Sequence, residues 1–75
     1  MDVLEDILKI ADNPLGAKKT HLVYQSNLNF DRLSTFLKYL IEKGLVEKND
    51  NENMYRTTPK GRDFLKQAEK LDKML

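Results

Sequence analysis

The sequence predicts a mainly α fold with a small β-hairpin, in the order helix, helix, turn, helix, hairpin, helix. Three observations lead there. The stretch 26–44 is a polar turn followed by a long amphipathic run, with Leu33, Phe36, Leu37, Leu40 and Ile41 at i, i+3, i+4, i+7, i+8. After Gly44 the period changes to strand-like, and residues 45–48 and 54–57 flank the polar run 49–53. Thr58-Pro59 then supplies a cap and a first helical residue for a closing helix.

The first helix is expected over residues 2–12. Asp2 caps it with Glu5 three residues on, as in a capping box, and Val3, Leu4, Ile7, Leu8 and Ala11 make its apolar face. Asn13-Pro14 ends it, because the residue before a proline is pushed out of the helical region. Leu15-Gly16 reads as a short extended link with room for a minimal strand. The acidic outer face of this helix points away from any polyanion.

A second helix is expected over about 17–25, with Ala17, Thr20, Val23 and Tyr24 at helical spacing and Leu22 on the flank. Tyr24 is expected in the core with its hydroxyl at the rim. Lys18 and Lys19 sit at the helix start, where the dipole prefers acids. A phosphate partner would remove that conflict; two exposed lysines without a partner cost little. In the turn 26–29, Leu28 plugs the corner, and Asn29 caps the third helix with Asp31 in its first turn. Lys43 and Gly44 close that helix.

Composition narrows the function classes. The chain has 75 residues and no cysteine, and His21 is its one histidine, so no disulfide and no His/Cys metal cluster is expected. No cofactor, membrane span, signal peptide or small-molecule pocket is apparent, and an enzyme is not expected, since no nucleophile–base pair stands out. Net charge is +1, but it is unevenly spread. Residues 1–15 carry Lys9 against Asp2, Glu5, Asp6 and Asp12. Residues 16–43 carry Lys18, Lys19, Arg32, Lys38 and Lys43 against Asp31 and Glu42, a net of +3. A local basic patch on a nearly neutral chain can bind a polyanion.

The residues at the joints carry a resemblance. The run 40–46, Leu-Ile-Glu-Lys-Gly-Leu-Val, matches the junction between reading helix and first wing strand in winged helix-turn-helix proteins. Tyr55, Thr58-Pro59-Lys60-Gly61 and Phe64-Leu65 resemble that family's second wing strand and the start of the next helix. Thr20-His21-Leu22-Val23-Tyr24 followed by Asn27-Leu28-Asn29 is similar to small archaeal winged-helix proteins of the ArnR-like and chromatin-associated kind. Together the matches cover nearly the whole chain, read as one domain over 1–75 with a three-helix core, a two-stranded wing and a C-terminal fourth helix.

The resemblance implies a protein that binds double-stranded DNA, a cytoplasmic, nucleoid-associated regulator that inserts helix 29–43 into the major groove. Base-facing positions would be Asn29, Arg32, Ser34, Thr35 and Tyr39, with Arg32 reading guanine and Asn29 divided between adenine contact and capping. Lys38 and Lys43 would meet phosphates, and Lys18, Lys19, Tyr24, Gln25 and Ser26 the backbone. A basic residue is common in such proteins at the place of His21, which here reads as solvent-facing rather than as a ligand. The wing departs from the family pattern. Its tip carries Asp50 and Glu52, so either Lys48 and Arg56 touch the backbone from a wing that lies back, or the wing is structural.

In the fourth helix, Phe64, Ala68, Leu71 and Leu75 follow the 4, 3, 4 spacing of a coiled-coil seam, widened by Leu65 and Met74. Phe64 and Leu65 are expected in the domain core. Ala68, Leu71, Met74 and Leu75 are expected to pair with a second copy, as in the similar archaeal proteins; the other possibility is that the tail folds back or frays. The rival functions are a winged helix used for protein–protein contact and a sequence-independent chromatin-type DNA binder.

Overall fold

The computed structural model describes residues 3–49 and 53–74. Along the chain run α1 (Val3–Ala11), β1 (Ala17–Lys18), α2 (Lys19–Ser26), α3 (Phe30–Glu42), β2 (Val46–Asn49), β3 (Met54–Thr57) and α4 (Pro59–Met74). The strands form an antiparallel sheet in the order β1-β3-β2. Ala17 faces Tyr55 across one ladder, and Val46 faces Thr57 across the other.

Helix α1 lies at the centre, packed against α2, α4 and β3. Ile7, Leu8 and Ala11 are fully buried and meet Leu22, Leu33, Leu37, Leu40, Val46 and Leu65 in one core. Being covered on three sides, α1 also buries Glu5, which is 6% exposed. The acidic outer face expected from the sequence is therefore smaller than its residues suggest. The expected Asp2 cap lies outside the described residues. A buried hydroxyl ties the sheet to this helix: Thr57 Oγ1 donates to the Leu8 carbonyl at 2.7 Å.

The link after α1 is a tight turn rather than an extended segment. Gly16 N–H donates to Asn13 O at 3.0 Å, while Asn13 Oδ1 accepts from Leu15 N–H. That local asparagine bond, with proline second in the turn, favours the reversal. The minimal strand consequently falls on Ala17–Lys18, and α2 starts two residues later than expected. Its inward stripe becomes Lys19, Leu22, Val23 and Ser26, the i, i+3, i+4, i+7 pattern. Leu22 is fully buried and Tyr24 is 85% exposed, so the expected roles of these two residues are exchanged.

Asn29 caps α3, its Oδ1 accepting from Arg32 N–H at 2.8 Å. The far end closes as a Schellman motif: Leu45 N–H donates to Leu40 O and Gly44 N–H to Ile41 O. Gly44 takes φ +74°, the left-handed conformation the motif needs. Leu33, Leu37 and Leu40 are buried as expected, Phe36 partly so, but Ile41 stays 39% exposed at the rim of a groove.

The start of α4 is knitted to this joint. Thr58 Oγ1 accepts from Gly61 N–H at 3.0 Å and donates to Gly44 O at 2.6 Å, and Thr58 N–H donates to Leu45 O. Gly61 is buried here, and a Cβ on it would overlap the Leu45 carbonyl oxygen. The threonine, proline and glycine of that motif thus serve one close approach between α4 and the entry to β2. Arg62–Asp12 (2.8 Å) and Lys9–Glu69 (3.7 Å) pin α4 along α1. Leu65 is in the core, whereas Phe64, expected beside it, is 40% exposed. Among the described residues, no helix is long and apolar enough to cross a membrane.

Candidate nucleic-acid interface

With Leu33, Leu37 and Leu40 turned inward, the spacing of α3 fixes what its other faces carry. At about 100° per residue, Asp31, Thr35, Lys38 and Glu42 form its outermost line. Ser34, Lys38 and Ile41 edge one flank, and Arg32, Tyr39 and Lys43 share the other. All but Ser34 are exposed.

On the Ser34 flank, α3, the start of α2 and the wing enclose a groove of about 270 Å³. Lys19, Ser34, Leu37, Lys38, Ile41, Glu42, Lys48 and Tyr55 line it. Three lysines thus reach one groove from α2, α3 and β2. Among the described residues, none of them makes an ion pair. Lys48 lies 5.8 Å from the centre of the Tyr55 ring, which orients its ammonium without cancelling its charge. Lys18 stands at the edge of the same face beside Lys19 and Thr20, its side chain uninvolved in capping α2.

One rung nearer the base of the hairpin than Lys48, the wing's cation is committed. Glu47 and Arg56 are directly opposed across the hairpin, and Arg56 Nε donates to Glu47 Oε1 at 2.9 Å with a second contact from Nη2. On the opposite flank of α3, Lys43 sits 5.7 Å from the Tyr39 ring centre.

A family model described as winged helix-turn-helix matches residues 1–75. The chain belongs to the winged helix-turn-helix family. Its similarity extends to an uncharacterized protein of Methanocaldococcus jannaschii, 29% identical over 73 residues, covering 97% of this chain and 33% of that relative. The chain spans about a third of the length of the curated relative it matches. Membership of the winged helix-turn-helix family points to DNA binding.

In winged helix-turn-helix terms, α2, Asn27–Asn29 and α3 are the motif, with Asn27 in the left-handed conformation at φ +60° where the chain turns. The expected contact residues separate into groups on this frame. Lys19, Ser34, Lys38 and Lys48 come together in the groove, with Lys18 next to them. Arg32, Tyr39 and Lys43 stand on the far flank, and Thr35 lies between the two groups. Asn29 is engaged as a cap. Ser26 turns its hydroxyl back to the Leu22 carbonyl, and Arg56 is held by Glu47. The acidic wing tip lies outside the described residues.

One member of the groove was missed in the sequence: Glu42 lines it beside the lysines. Tyr24, a candidate backbone contact expected in the core with its hydroxyl at the rim, instead projects from α2. Counting the α2 stripe from Leu22 would have exposed Tyr24, but a stripe half made of Lys19 and Ser26 gives little hydropathy signal. Glu42 was visible as the residue four after Lys38, on the same face. Of the seam residues, Ala68 is half-buried, Leu71 is 62% and Met74 82% exposed, and Leu75 is outside the described residues.

Proposed function

We propose that this chain is a transcriptional regulator that binds double-stranded DNA as a homodimer, with α3 in the major groove and no catalytic step. The convergence of Lys19, Lys38 and Lys48 from three elements on one groove beside α3 carries the reading. Cations placed along the wall of an inserted helix meet the phosphates of one strand, releasing counterions as they do so. Arg32 and Lys43, on the opposite flank, meet the other strand. The outermost line of α3 between the two faces the base edges.

The dimer rests on α4. Leu71 and Met74 are exposed apolar residues on a charged helix; Ala68 and Leu71 continue the seam spacing toward Leu75, and Met74 widens it. Two copies would present two reading helices to a palindromic site. Such a protein would act in the cytoplasm, on the nucleoid.

Gel shift with a random duplex at low salt tests the binding: a retarded complex is expected, and its absence at high protein concentration would favour a protein–protein role. Selection from a random library then separates the two DNA readings. An enriched palindrome is the result expected of a regulator, whereas tight binding with no enriched sequence would contradict that role and favour a sequence-independent binder.

A further inference from the structure

We propose that Asp31 and Thr35 set the base preference of α3, selecting bases that offer an amino group in the major groove, cytosine and adenine, along one strand. This rests on the DNA-binding reading above. Both residues are exposed and stand one turn apart on the outermost line of α3, in its N-terminal half. That half is the part of a reading helix that meets base edges.

What the two side chains offer is one-sided. An ionised carboxylate only accepts hydrogen bonds. Asp31 makes no ion pair among the described residues, so its oxygens are uncommitted. Thr35 has already spent its proton, since its Oγ1 donates to the Asp31 carbonyl at 3.1 Å. Toward the groove it presents oxygen lone pairs and a methyl group. On the outermost line of its leading half, α3 therefore presents a pair of acceptors. In the major groove cytosine N4 and adenine N6 are donors, whereas guanine O6 and N7 and thymine O4 are acceptors. A guanine opposite Asp31 would set lone pairs against lone pairs and leave a carboxylate desolvated and unpaired.

The carboxylate also acts on the wrong sequence. On a duplex that supplies no donor, Asp31 is a negative charge facing a polyanion and weakens the complex, while the lysines on the groove wall still attract it. Asp31 in a first helical turn is also favourable for the helix dipole. That role is indifferent to which base lies opposite, so base selection separates the two.

The experiment is selection from a random duplex library at fixed salt with the full chain, comparing wild type, Asp31→Asn and Thr35→Val. Wild type is expected to enrich cytosine or adenine at neighbouring positions of one strand in each half-site. Asp31→Asn keeps an acceptor but adds an amide donor, so it should lose about tenfold of the discrimination against guanine at one position and bind random duplex more tightly. Thr35→Val keeps the methyl group, removes the acceptor and should lose selection at the adjacent position. Circular dichroism checks that each variant folds; if Asp31→Asn does not, Thr35→Val alone decides. Unchanged preference in the folded variants, or no preference in wild type that binds, overturns the assignment alone. Absence of wild-type binding to any duplex overturns the DNA-binding reading and this inference with it.

Discussion

The lysine groove beside α3 and the Glu47–Arg56 rung of the wing hold their cations in opposite condition. In the groove, Lys19, Lys38 and Lys48 arrive from separate elements and make no ion pair among the described residues. On the wing, Arg56 is opposed by Glu47 in the hairpin register and bonded to it. A basic residue contributes to polyanion binding only when its charge is not already matched, so position in the ladder matters as much as residue type. On the wing Arg56 is matched within the hairpin, and under the proposed function the groove wall supplies the cations that meet DNA.

The largest effect on that contrast should come from emptying the groove. A Lys19→Gln, Lys38→Gln, Lys48→Gln triple variant removes three phosphate partners, and the slope of log affinity against log salt should become shallower by about 2.7. Fluorescence anisotropy of a labelled duplex over a salt series measures it, and a slope unchanged from wild type would remove the groove from the interface.

Both regions depend on the joint where α4 meets the entry to β2. Gly61→Ala forces a methyl group against the Leu45 carbonyl and should destabilise the fold by about 3 kcal/mol, the upper range for overpacking. Urea unfolding followed by circular dichroism reads this directly. A midpoint within error of wild type would mean that the contact at Leu45 yields easily.

The contrast is also doubled if two copies pair. Leu71→Glu places a charge in the proposed seam, and sedimentation should find a monomer where wild type is a dimer. A monomeric wild type would sink the α4 interface. The smallest effect is the release of Arg56 by Glu47→Gln, which should steepen the salt slope by at most about 0.9. A shallower slope after that change would contradict the idea that Glu47 holds Arg56 out of use.

The fold was largely legible because its joints use residues with few alternatives. Asn29, Gly44, Thr58 and Gly61 each answer a local backbone need, and the Leu33, Leu37 and Leu40 stripe is strongly periodic. α2 was misplaced because its buried stripe includes Lys19 and Ser26, and because β1 takes the two residues that look helical. The burial of Glu5 follows from α1 being enclosed by three neighbours, which no local pattern reports. Candidate site residues were legible by type and not by grouping. That Lys48 reaches the same groove as Lys19, and that Arg56 meets Glu47, depends on hairpin register and on how the wing folds beside α3.

The most direct test of the central claim sets one cation from each region in the same salt titration. Lys38→Gln should flatten the slope by about 0.9 and weaken binding, while Arg56→Gln should leave both unchanged. Equal losses from the two variants, or a loss from Arg56→Gln alone, would contradict the assignment of phosphate binding to the groove beside α3.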